Sequence, residues 1–151
     1  MPTEGLDFAV DDARRILDDV FAPWIKDLAL RIESISAKLG ADAAEPYPVA
    51  RLRMPFSERL CRDNGVVCGQ ALMAFADTAM VIALVAANGG YRPMTTVDQT
   101  THFMRAVASC DVLAEAQVVR LGRTMSFGRV TLSSAADGKP AAMVSSAFAM
   151  L

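Results

Sequence analysis

The sequence holds a single histidine, His102, and only three cysteines, Cys61, Cys68 and Cys110, with no CxxC pair. One imidazole and three scattered thiols match no familiar zinc spacing, so no metal site is expected. An odd number of thiols suits reduced side chains in a cytoplasmic protein better than a disulfide scaffold. Charge of one sign is also missing. Fifteen Lys and Arg stand against seventeen Asp and Glu, a net charge of -2, and the basic residues are dispersed. A nucleic-acid module needs a denser positive footprint. The amino terminus, MPTEGLDFAVDDARR, is acidic and lacks a basic start followed by an apolar run, so no export signal is expected. The most apolar stretch, Ala71 to Ala87, is broken by Asp77 and falls short of the ~20 residues of a membrane span. It reads as a buried helix, with no membrane partner.

What is present is a chain of 151 residues, 53% hydrophobic and 21% charged, which is enough apolar material for one core. Residues 1–151 are therefore read as one domain, with 1–26 as a helical extension. From Asp11 to about Pro23 the apolar residues Ala13, Ile16, Leu17, Val20 and Phe21 fall on one helical stripe. Leu28 to Ala37 moves toward alternation and predicts a strand; GADAAEPYP then supplies a turn, and VARLRMP predicts a second strand. Phe56 to Val66 is a polar connection with Asn64-Gly65 as a turn. A helix follows from Cys68-Gly69-Gln70 to about Ala87, where Asn88-Gly89-Gly90 stops it. Apolar at almost every position, this helix should be covered on all sides. Four strand-like runs close the chain, Met94 to Met104, Asp111 to Leu121, Ser126 to Ala136 and Ala141 to Leu151. Their short connections predict an antiparallel meander.

Asp77 stands out on physical grounds. A carboxylate among Met73, Ala74, Phe75, Ala76, Met80 and Val81 is costly unless it is paired, hydrogen-bonded or protonated. Such a cost points either to chemistry or to a structural bond with a backbone group or Thr78. Cys68, at a helix start, has the position of a low-pKa nucleophile but no base in sequence reach; a buried cysteine acting as a small hydrophobe is the commoner case. His102, between Thr101 and Phe103 in a strand, reads as packed or surface-exposed. Met73, Met80 and Met104 are candidates for an adaptable apolar pocket or for simple gap filling around the helix.

The stretches NGVVCGQALMAFADTAMVIAL, TTVDQTTHFMRAV, LGRTMSFGRVTL and DGKPAAMVSSAFAML together resemble the hotdog-fold acyl-CoA thioesterases of the phenylacetyl-CoA and 4-hydroxybenzoyl-CoA thioesterase group. The resemblance runs from about Leu28 to Leu151. It implies an α+β hotdog fold, a curved antiparallel sheet of five to six strands wrapped around one long central helix, plus a short N-terminal helix. The family wording at the helix start is His-Gly-Gly with an acidic residue nine positions after the histidine. Nine positions before Asp77 lies Cys68, so Gly69 is kept while Cys68 and Gln70 replace the histidine and the second glycine.

The resemblance further implies hydrolysis of acyl-CoA to free acid and coenzyme A, with Asp77 as general base or direct nucleophile. Free backbone N–H groups near Gly69 and Gln70 would hold the oxyanion, with the Gln70 side chain crowding the acyl group. Thr96 matches a Ser or Thr that relatives often bring from the neighbouring subunit, and Asn64 loosely matches an Asn before the helix. Arg123 resembles a basic turn that contacts coenzyme A phosphates; Arg120, Arg105, Cys68 and Met73 complete the substrate-contacting candidates. Coenzyme A belongs to the substrate and no separate cofactor is implied. A homodimer, or a dimer of dimers, is implied as well. The competing readings are a silent acyl-CoA or aromatic-acid binding protein and, less well supported, a hotdog hydratase, which needs a paired Asp and His.

Overall fold

The computed structural model describes residues 9–36 and 47–151. In chain order these form α1 (Val10–Asp19), a 3-10 helix (Pro23–Leu28), β1 (Arg31–Ile35), β2 (Val49–Met54), two 3-10 turns (Glu58–Leu60 and Asp63–Gly65), α2 (Gly69–Asn88), β3 (Met94–Phe103), β4 (Val112–Arg120), β5 (Met125–Ser134) and β6 (Pro140–Met150). All six strands belong to one antiparallel sheet in the order β1-β2-β4-β5-β6-β3, packed on α2. This is the hotdog arrangement that the resemblance implies.

Three local expectations need correction. The meander holds for β4, β5 and β6, but β3 pairs with β6 and not with β4. Residues 104–111 carry the chain from one edge of the sheet back to its middle. The predicted strand from Leu28 is shorter, because Pro23 opens a 3-10 helix that ends at Ala29 in the left-handed region, φ 52°. Leu28 is buried from that helix, and only Ile32 is buried from β1 itself. For the same reason α1 stops at Asp19 and does not reach Pro23. Most of the GADAAEPYP turn and the first eight residues lie outside the described residues.

Side chains Ala50, Leu52 and Met54 of β2, Val112, Ala114 and Ala116 of β4, Val130 and Leu132 of β5 and Ala142, Val144 and Phe148 of β6 all turn inward against α2. At about 1.5–3 kcal/mol for each large side chain removed from water, this layer dominates the stability. Gly128 has a packing role. A Cβ there would overlap the Sδ and Cε of Met80 from α2, so the bare backbone of β5 leaves room for the end of that side chain. Gly89, at φ 79°, ends α2, and the N–H groups of Gly89 and Gly90 return to the carbonyls of Ala86 and Val85 at 3.1 Å.

The helix is not covered on every side. Gly69, Gln70, Met73, Ala74, Asp77 and Val81 keep solvent access while their neighbours are buried. The spacing of four from Gly69 through Met73 and Asp77 to Val81 makes this a single stripe along α2. Gly69–Asn88 is the one helix among the described residues long and apolar enough to cross a membrane, and it is instead the core helix, 78% buried over its most apolar window.

Candidate active site

Cys68 precedes α2 in extended conformation, and its Sγ accepts the N–H of Ala71 at 3.4 Å, so the thiol acts as the helix N-cap. The N–H of Leu72 bonds the Cys68 carbonyl at 3.2 Å. Among the described residues, the N–H groups of Gly69 and Gln70 have no acceptor and point out of the helix start as donors. The ring of Phe103 packs over this end, with its Cζ at 3.3 Å from where a Gly69 Cβ would stand, so Gly69 allows that closeness.

Asp77 lies two turns further along the stripe. Thr96 Oγ1 donates to its Oδ1 at 2.8 Å. Burial pushes the Asp77 carboxyl above the ordinary carboxylate range, and the Thr96 bond pulls in the opposite direction without cancelling it. Thr78 takes no part, because its hydroxyl donates to the Ala74 carbonyl at 2.8 Å. The contact between Thr96 and Asp77 forms within one chain and corrects the expectation that a neighbouring subunit must bring the threonine. It follows from the position of β3 at the sheet edge beside α2.

A bulge in β3 determines what else faces the helix. Thr96 pairs with Phe148 and Asp98 with the next residue back, Ala147, so Val97 is an extra residue. Beyond it Gln99 is opposite Ser146, Thr101 opposite Val144 and Phe103 opposite Ala142, all inward-facing positions of β6. Gln99 Nε2 donates to the Met73 carbonyl at 3.1 Å, one turn before Asp77. Gln99 Oε1, Thr101 Oγ1 and Ser146 Oγ are buried without a partner. His102 is opposite Met143 on the outer face, away from Asp77.

The sequence candidates thus fall into two groups. Gly69, Gln70 and Cys68 cluster at the start of α2. Beside Gly69 a cavity of about 300 Å³ is lined by Arg62, Val67, Phe103 and Arg105, among others. Asp77 and Thr96 form the second group, with the Arg123 turn toward the same end of the sheet: Ser126, next along β5, lies on the rung that carries Phe148 and Thr96, and Arg92 bonds the Arg123 carbonyl. Eight residues of helix separate Gly69 from Asp77, a rise of ~12 Å along the axis.

The remaining candidates are more scattered. Arg120 is opposite Phe127 after a bulge, on the outer face. Asn64 is exposed in the turn, at φ 60°. Met73 is 38% exposed, Met80 is buried and Met104 is exposed, so the three methionines do not line one pocket. Sequence reasoning missed Gln99, Phe103 and Arg62. Among the described residues no group of three or more His, Cys, Asp or Glu is placed to hold a metal ion.

The family model described as thioesterase superfamily matches residues 64–141. No curated protein matches the sequence. Among solved structures, a candidate thioesterase from Silicibacter sp. TM1040 is 27% identical with a TM-score of 0.78, over 98% of this chain and 94% of that one. Zebra fish thioesterase superfamily member 2 is 23% identical with a TM-score of 0.73, over 99% of both chains. A Haemophilus influenzae thioesterase is 19% identical with a TM-score of 0.74, over 95% of this chain and 91% of that one. The last two speak for the fold alone.

Proposed function

The chain belongs to the thioesterase superfamily, and from that premise we propose that it hydrolyses acyl-CoA thioesters to free acid and coenzyme A at sites shared by two copies. The observation that carries the reading is the Thr96 hydrogen bond to an Asp77 whose pKa is raised by burial. Thr96 occupies Oδ1 and leaves Oδ2 to receive a proton from water. The resulting hydroxide attacks the thioester carbonyl carbon, and the carbonyl oxygen becomes an oxyanion held by the Gly69 and Gln70 N–H groups. Collapse breaks the C–S bond, and the proton on Asp77 passes to the departing thiolate. Direct attack by Asp77 through an anhydride uses the same groups.

The ~12 Å between Gly69 and Asp77 supports a site in which the helix start of one copy meets the Asp77 of a second. A two-fold axis makes two such sites. The open stripe of α2 and the edge of β3, whose ten residues have no neighbouring strand on one side among the described residues, are the surfaces a second copy would cover. Arg105 and Arg62 at the helix start of one copy and Arg123, in the turn at the Thr96 end of the sheet of the other, then flank one coenzyme A. The reaction needs no separate cofactor, and three free thiols suit the cytoplasm.

Release of free thiol from a panel of acyl-CoA esters tests the reading. Turnover is expected, and Asp77→Asn should reduce it at least about a hundredfold. Binding of acyl-CoA with no turnover in the wild type would instead make this a binding protein.

A further inference from the structure

The first turn of α2 separates two cavities. On one side lies the arginine-flanked space beside Gly69. On the other, a cavity of about 220 Å³ is lined by Trp24 and Leu28 of the 3-10 helix, Leu60 of the connection, and Cys68, Gln70 and Ala71 of the helix start, with Asp27 and Arg59 also reaching it. Trp24 is 57% exposed. A large aromatic surface left open against a mostly apolar hollow is a feature of ligand-binding sites. Residues 68, 70 and 71 therefore face one cavity while 66, 67, 69 and 72 face the other, and the free N–H groups of Gly69 and Gln70 sit between them.

A thioester whose carbonyl oxygen lies on those two N–H groups has two substituents that diverge from the carbonyl carbon. We infer that the acyl group occupies the Trp24 cavity while the coenzyme A arm leaves past Gly69, and that contact with Trp24 favours a compact acyl group. This rests on the hydrolytic reading above. The size follows from volume: a cavity of roughly 150 Å³ holds a benzene ring. A space of 220 Å³ therefore has room for one ring with a short linker, or for a short branched chain, against Trp24. Cys68 gives this cavity a small, polarisable wall, and the Gln70 side chain narrows it from the helix side. The 3-10 helix that replaces the expected strand at Leu28 is what carries Trp24 and Leu28 to this place.

Trp24 is the only tryptophan of the chain, so its fluorescence reports this cavity alone. The test uses the full-length Asp77→Asn protein, which holds substrate without consuming it, titrated with phenylacetyl-CoA, palmitoyl-CoA and free coenzyme A, with calorimetry measuring binding independently. Phenylacetyl-CoA should change the Trp24 emission, and free coenzyme A should bind without doing so. In the Asp77-intact protein, Trp24→Ala should lower the phenylacetyl to octanoyl ratio of kcat/KM about threefold to tenfold, the worth of an aromatic contact. Calorimetric binding of phenylacetyl-CoA with an emission identical to that with free coenzyme A, together with an unchanged ratio, would overturn the acyl assignment and leave hydrolysis standing. An emission change on binding, with no thiol release by the wild type, would remove hydrolysis and keep the cavity. Absence of binding and of turnover would remove both.

Discussion

Thr96 donates a 2.8 Å hydrogen bond to an Asp77 carboxylate that burial holds toward its neutral form, so the two influences on that proton oppose one another. The threonine favours the charge and the surroundings disfavour it, with the balance above the ordinary carboxylate range.

Removing the threonine hydroxyl should therefore move a pH profile. Thr96→Val takes away the bond that favours ionised Asp77, so the acid limb of kcat/KM should shift to higher pH while the plateau is regained at alkaline pH. A uniform loss at every pH would mean that Thr96 does not act through the Asp77 proton.

Asp77→Asn should stabilise the fold as it disables the chemistry. With a folded-state pKa above the unfolded one, the native chain binds more protons in the window between them. Stability thus falls as pH rises through that window, and at neutral pH the ionised carboxylate is a net cost. The variant should melt higher than the wild type at neutral pH, with the gap closing in acid. Asp111 has the opposite sign: its pKa is lowered by the Phe56 N–H and by Arg53, so Asp111→Asn should melt lower at neutral pH and converge with the wild type as pH falls below the carboxylate range.

Gln99 pins the carbonyl of Met73, to which the helical N–H of Asp77 also points, and its own Oε1 is buried without a partner. Gln99→Leu removes both the bond and the orphaned acceptor. Thermal stability should stay level or rise. Turnover should drop up to about tenfold with little change in KM, since the loss is of positioning near Asp77. Equal changes in both constants would make Gln99 a substrate contact.

A shared site predicts complementation. Gly69→Val should be inactive because the added methyl groups meet the Phe103 ring at the helix start. Mixed in equal amounts with inactive Asp77→Asn and allowed to exchange, it should recover about a quarter of wild-type activity, since half the dimers are mixed and each carries one intact site of two. No recovery between exchanging chains would place both residues in one protomer's site.

Arg123→Ala should raise KM for acyl-CoA far more than it lowers turnover, and should leave a substrate lacking the nucleotide part unaffected. The same loss with the truncated substrate would reduce Arg123 to a turn residue.

Much of this was legible in the chain. The apolar run with its glycine stop gave α2, alternation gave β2 and the last three strands, and the solvation cost of Asp77 marked it as exceptional. Strand neighbours were less legible, because pairing of β3 with β6 depends on the long-range closure of the sheet and not on connection length. Leu28 misled because a 3-10 helix beside a proline can bury the same side chains as a strand. Gln99 and Phe103 were missed because TTVDQTTHF is polar on both faces, and alternation carries no signal where neither face is apolar.

The extra residue at Val97 has one more effect, on how such a sequence is misread. Plain alternation from Thr96 would turn Asp98, Thr100 and His102 toward α2, setting a carboxylate and the chain's only imidazole on the same face as Asp77 and suggesting an acid–base dyad. The bulge sends that pair to the opposite side of the sheet. The dyad is a mirage of one-dimensional spacing, and a register slip that smoothed the bulge would make it real by trading an amide, a hydroxyl and an aromatic ring for two titratable groups.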